Sequence, residues 1–126
     1  MKKILVVEND PALRLLTTQL LELEGFAVSQ AENGRLALET IAADPPDLVL
    51  CDLLMPELSG FEVLRELTRN PKSPAIPLVF LTASAMPSDR ENCLKDGAAG
   101  FIIKPFQHAE LLETLRNLLL SPESQA

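Results

Sequence analysis

Leu48-Val49-Leu50-Cys51-Asp52 is a short apolar run closed by a carboxylate, and its reading decides the fold. The run reads as a strand, and the same pattern returns along the chain. Upstream, Ile4-Leu5-Val6-Val7 is a β-branched-rich run of the kind found in strands buried on both faces, and it ends at Glu8. Between the two, Asp10-Pro11 supplies a helix cap and a proline at the first helical position. Leu13, Leu16, Leu20 and Leu23 then recur at helical spacing until Gly25. Residues 26–31 form a second short strand. Asn33-Gly34 turns the chain into a helix carrying Leu36, Leu38 and Ile41, which Pro45-Pro46 closes.

Downstream the alternation continues. Phe61, Val63, Leu64 and Leu67 lie on a helix, and residues 71–77 form a proline-rich loop. Residues 76–81 are a fourth strand with Pro77 near its start, where proline is tolerated. Residues 89–96 are a helix ended by Gly97, and residues 100–103 a fifth strand. A last helix carries Leu111, Leu112, Leu115, Leu118 and Leu119. Five β-α units in strict order imply an α/β fold, because parallel strands need crossover connections and the helices cover both faces of the sheet.

The chain has 126 residues, enough for one domain, which we place at residues 1–120 with a disordered tail at 121–126. A formal net charge of −7 argues against direct nucleic-acid binding, which needs a basic face, and against docking on an anionic membrane. The apolar run at the start stops at Glu8, too soon for a signal peptide or a span. Two cysteines, Cys51 and Cys93, read as reduced thiols, and the expectation is a cytoplasmic protein. Cys51 should face the core, and Cys93, on the fourth helix, should be partly exposed. His108 reads as a surface residue.

Ligands of open α/β sheets bind beyond the carboxyl ends of the strands. There the chain places Glu8, Asn9 and Asp10, then Asp52, Thr82 and finally Lys104-Pro105. Singly these are a cap, a strand residue and a solvated charge. Jointly they bring acids, a hydroxyl and one lysine to a single edge.

On Leu5-Val6-Val7-Glu8, Asp52-Leu53-Leu54-Met55-Pro56 with Gly60, Leu81-Thr82-Ala83 and Lys104-Pro105-Phe106, the chain resembles a response-regulator receiver domain of two-component signalling. The resemblance covers residues 3–119 and implies a flavodoxin-like (βα)5 doubly wound sandwich with a five-stranded parallel sheet. It implies a switch that takes a phosphoryl group on Asp52 from a histidine kinase or histidine phosphotransfer protein and signals to a downstream effector. That effector is a separate protein or an output domain absent from these residues. The switch is not itself an enzyme, and homodimer formation is left open. By the same resemblance Mg²⁺ is held by Glu8, Asn9, Asp52 and the backbone carbonyl of Leu54. Lys104 and Thr82 contact the phosphoryl oxygens, and the Lys104-Pro105 peptide is cis. Thr82 and Phe101 move together as the switch pair, Phe101 being otherwise a core ring.

Asn9, Phe101 and Ser59 depart from the family pattern, Phe101 standing where the family often has Tyr. Asn9 replaces a commonly acidic metal ligand, which predicts weaker Mg²⁺ binding. Asp10 reads as the cap of the first helix, with partial replacement of the lost charge as the alternative. Ser59 stands in place of a frequent Asp and caps equally well. Leu54 and Ser84 occupy the positions that tune the lifetime of the phosphorylated state, and Leu54 offers no group to position an attacking water. Two other functional classes compete. A receiver-like module could bind its partner without phosphorylation, given Asn9 and Phe101. A haloacid-dehalogenase-type phosphohydrolase needs a second Asp where Leu54 stands, so it is set aside.

Overall fold

The computed structural model describes residues 1–53, 55, 58–69, 76–83 and 86–119. Among the described residues five strands and five helices alternate. They are β1 (Lys3–Val7), α1 (Pro11–Leu23), β2 (Ala27–Ala31), α2 (Gly34–Ala43), β3 (Leu48–Asp52), α3 (Gly60–Arg69), β4 (Leu78–Thr82), α4 (Pro87–Lys95), β5 (Gly100–Ile103) and α5 (His108–Leu119). All strand pairs are parallel, in the order β2-β1-β3-β4-β5. The chain direction across the sheet therefore reverses between β1 and β3, and this is where doubly wound folds open a ligand crevice.

Alternation along the strands builds two cores. Leu5, Val7, Val49, Cys51, Leu78 and Phe80 point to one face and meet Ala37, Ile41, Val63, Leu64 and Cys93 of α2, α3 and α4. Ile4, Val6, Leu48, Leu50, Val79, Leu81 and Ile102 point to the other and meet Leu21 of α1 and Leu111, Leu112, Leu115 and Leu119 of α5. Both faces of the sheet are buried, which explains why its inner strands read as unbroken apolar runs.

Several helix starts are fixed by side chains. Asp10 caps α1, accepting from the Ala12 N–H at 2.9 Å and the Leu13 N–H at 3.4 Å. Asn33 caps α2 through Leu36 N–H at 2.8 Å. At α3 the Glu62 carboxylate reaches back to the Ser59 N–H at 3.5 Å and its hydroxyl at 3.4 Å, the return half of a capping box. Gly60 has no room for a side chain: a Cβ there would lie 2.6 Å from the Asp52 carbonyl and 2.7 Å from the Phe80 ring. The start of α3 is thereby pressed against the end of β3.

The structure corrects some boundaries and faces. Strand β4 begins at Leu78, so Pro77 precedes it, and the Pro77 carbonyl accepts the Val49 N–H at 2.9 Å. Helix α4 begins at Pro87 rather than Asp89, because proline suits the first helical turn. Cys93 is fully buried, not partly exposed, since it is the residue by which α4 enters the core. The sequence pattern leaves open which face of α1 meets the sheet. Helix α1 turns Thr17, Thr18 and Leu21 inward, keeps Leu13 and Leu20 half-buried, and leaves Leu16 51% and Leu23 81% exposed. The Thr18 hydroxyl is buried and has no hydrogen-bond partner among the described residues. The proline-rich loop expected before β4 falls, for residues 71–75, outside the described residues, as do the tail at 121–126, Leu54, Pro56 and Ser84.

Candidate functional site

The carboxyl ends of β1 and β3 lie side by side, with Val7 in register with Cys51. The next residue on each strand, Glu8 and Asp52, is acidic. Two carboxylates at this spacing repel unless a cation stands between them. Lys104, at the end of β5, supplies it: its ammonium donates to Glu8 Oε1 at 2.8 Å and Asp52 Oδ2 at 3.3 Å. The lysine side chain is 17% exposed and the two carboxylates 6% and 12%, so the triad is sheltered and its charges are weakly screened. Lys104 is aimed by its backbone, whose N–H donates to the Thr82 carbonyl at 2.8 Å. The Lys104-Pro105 peptide that follows is cis.

Glu8 is tied on every side. Its second carboxylate oxygen accepts the Asp10 N–H at 3.1 Å, and its own N–H donates to the Ala31 carbonyl at 3.1 Å. Arg14 Nη1, from the first turns of α1, donates to the Glu8 carbonyl at 2.8 Å. This contact escaped sequence reasoning. The only signal for it was an arginine six residues past the strand end, long enough to fold back. Asp10 is engaged as the α1 cap, and Asn9 is exposed. Neither belongs to the ion-paired triad.

Thr82 is fully buried at the end of β4, and its neighbour in register is Ile103. Phe101 is half-buried, faces the same side of the sheet as Phe80, its neighbour in register, and packs on the α2–α4 core. Burial pushes the Cys51 thiol far up, and the Asp52 and Glu8 carboxylates push it further; its Sγ–H donates to the Asp52 carbonyl at 3.2 Å. Cys93 rises to about 11, mainly through burial and then through Asp89 and Asp96. Neither thiol is a nucleophile at neutral pH. His108 stands at the start of α5, its Nε2 3.8 Å from Glu24, whose carboxylate also takes Arg116 at 2.6 Å.

The triad can attract a divalent cation. Mg²⁺ is held by one or two carboxylates with several waters, and Glu8 and Asp52 are a fitting pair of hard oxygen donors. Among the described residues no group of three or more His, Cys, Asp and Glu side chains is placed to hold a metal. The fourth expected donor, the Leu54 carbonyl, lies outside the described residues. Among the described residues, no helix is long and apolar enough to cross a membrane.

Comparison with known proteins agrees with this architecture. The response regulator receiver domain model matches residues 4–116. Protein PilH of Pseudomonas aeruginosa is 34% identical over 94% of this chain and 98% of its own length. Response regulator MprA of Mycolicibacterium vanbaalenii is 41% identical over 93% of this chain, which spans only 50% of that relative. The signal receiver domain of a histidine kinase from Syntrophus aciditrophicus superposes with a TM-score of 0.86 at 34% identity, covering 94% of this chain and 90% of that one. The topology, the strand-end residues and these matches agree: the chain belongs to the response regulator receiver domain family of two-component signalling.

Proposed function

We propose that the chain is a phosphorylation-dependent switch in which Asp52 accepts a phosphoryl group from a histidine kinase or a histidine phosphotransfer protein. The observation that carries this reading is the sheltered triad, a carboxylate at a strand end facing an ammonium that a second carboxylate holds in place. An Asp52 oxygen attacks phosphorus, the phosphorus–nitrogen bond of the donor histidine breaks, and the histidine leaves with the bond's electron pair. Lys104 already touches the attacking carboxylate, so a small rotation of its ammonium sets it on the incoming phosphoryl oxygens. Glu8 keeps the lysine in reach while the site is empty. Bound at Glu8 and Asp52, Mg²⁺ supplies positive charge that offsets the approach of two anions.

Thr82 and Phe101 are the elements we assign to the readout. Both reside on the β4–β5 side of the site, and the backbone carbonyl of Thr82 accepts the Lys104 N–H. In this reading the signal reaches a downstream effector through the surface around α4, β5 and α5, in a cytoplasmic protein that turns over no substrate of its own. Incubation with a small phosphoryl donor and Mg²⁺, followed by intact-mass measurement, tests the proposal. Wild type gains one phosphoryl group and Asp52→Asn gains none. An unmodified wild type would instead favour a module that binds without phosphorylation, the reading suggested by Asn9.

A further inference from the structure

Glu8, Asp10 and Arg14 close a ring of hydrogen bonds around the turn that joins β1 to α1. The second oxygen of the Glu8 carboxylate accepts the Asp10 N–H at 3.1 Å, and the Asp10 carbonyl accepts the Arg14 N–H at 2.9 Å. Arg14 Nη1 then returns to the Glu8 carbonyl at 2.8 Å. Asn9 lies within the turn so closed, between two residues that the ring holds. The Asp10 bonds belong to any well-capped helix start. The Arg14 bond does not. Arg14 is the fourth residue of α1 and the only charged one from Pro11 to Leu21. A cation this near the start of a helix opposes the helix dipole, and no acid in the first turn offsets it. What engages it is the carbonyl of Glu8, a residue only 5% exposed, through a charge-assisted bond from a half-buried side chain.

The ring leaves Glu8 little freedom. Its N–H is held by Ala31 and its carbonyl by Arg14, while its carboxylate is shared between Lys104 and the Asp10 N–H. The turn that Arg14 closes therefore carries both Glu8 and Asn9, two of the residues assigned to the cation corner. Groups that hold a ligand residue in place set metal affinity without touching the metal.

We infer that Arg14 is a positioning residue for the cation corner: by fixing the Glu8 carbonyl it locks the turn that carries Glu8 and Asn9, and so raises the affinity for Mg²⁺. The inference rests on the reading that Glu8 and Asp52 hold Mg²⁺. Its sign is opposite to that of simple electrostatics. Arg14 brings positive charge toward a divalent cation, so Coulomb's law alone has its removal tighten Mg²⁺, whereas loss of positioning weakens it.

Nuclear magnetic resonance on the ¹⁵N-labelled full chain tests it, by Mg²⁺ titration of the amides of residues 8–10 and by amide exchange with water in the same samples before metal is added. Arg14→Met keeps most of the stem and removes the donor and the charge. It is expected to bind Mg²⁺ about tenfold more weakly than wild type, with unchanged far-ultraviolet circular dichroism. In the metal-free variant the Asp10 amide exchanges several-fold faster, while amides in the interior of α1 keep their protection. Arg14→Lys retains an N–H donor and binds Mg²⁺ more tightly than Arg14→Met. A wild type that binds Mg²⁺ beside an Arg14→Met that binds it equally or more tightly overturns the inference and leaves the metal reading standing. Unchanged Asp10 exchange in Arg14→Met overturns it too, as does an Arg14→Lys no tighter than Arg14→Met. A wild type that does not respond to Mg²⁺ overturns the metal reading, and the inference falls with it.

Discussion

Replacing Lys104 with methionine separates the two jobs that the ion-paired triad performs. Methionine keeps the length and much of the apolar stem, so the substitution removes chiefly the charge. Without it Glu8 and Asp52, 6% and 12% exposed, face one another with no cation between them. Breaking a fully buried pair costs about 3–5 kcal/mol; the strand-end position lets some water in, so about 2–3 kcal/mol is expected here. For a domain of this size that lowers the melting temperature by roughly 10 °C. A cation supplied from solution reverses the sign of the argument. In wild type Mg²⁺ must displace an ammonium already 2.8 Å from Glu8, whereas in Lys104→Met it meets two uncompensated carboxylates. Mg²⁺ at one hundred times its dissociation constant adds about 2.7 kcal/mol, and the variant reaches that ratio at lower metal concentration. The assay is urea unfolding followed by far-ultraviolet circular dichroism, with EDTA and with Mg²⁺, as the chain has no Trp or Tyr. Equal midpoints for wild type and Lys104→Met in EDTA would refute the reasoning. So would an Mg²⁺ increment no larger in the variant than in wild type.

Restoring the acid at Asn9→Asp is expected to tighten Mg²⁺ about tenfold or more in calorimetric titration, since one unit charge at ~4 Å and an effective dielectric of ~20 is worth about 4 kcal/mol before desolvation. An unchanged affinity would remove Asn9 from the metal corner. Thr18→Val should stabilise the chain by about 1 kcal/mol, because it keeps the shape and deletes a buried hydroxyl that has no partner among the described residues. The urea midpoint rises if so. The thiols predict a pH dependence. Folded Cys93 titrates near 11, above its unfolded value, so the native state holds its proton longer. Its contribution is complete below about pH 8.5, the unfolded value, and falls as pH rises toward 11. Ellman's reagent at pH 8 should accordingly find almost no thiol in the native protein and two per chain in denaturant.

The sheet and the triad were legible for one physical reason. A strand covered on both faces must be apolar throughout, so the first polar residue after each run marks the open edge, and that rule alone picks out Glu8, Asp52 and Lys104. Faces of helices were less legible. The leucine stripe of α1 announces an apolar stripe but not which way it looks, and the sheet chose Thr17, Thr18 and Leu21 instead. Helix α4 has almost no apolar periodicity, which hid the burial of Cys93. Arg14 was missed because its partner is a backbone carbonyl, and carbonyls leave no trace in composition.

The ties on Glu8 join two parts of the molecule usually treated separately. One oxygen of its carboxylate holds Lys104, the other holds the N–H of the residue that caps α1, and its carbonyl holds Arg14 of the same helix. Glu8 cannot shift toward a new occupant of the acid corner without pulling on the first turns of α1. A displacement of Glu8 by an occupant of the corner would therefore be felt at the start of α1, and any coupling of binding that results would be reciprocal, changing both affinities by the same factor.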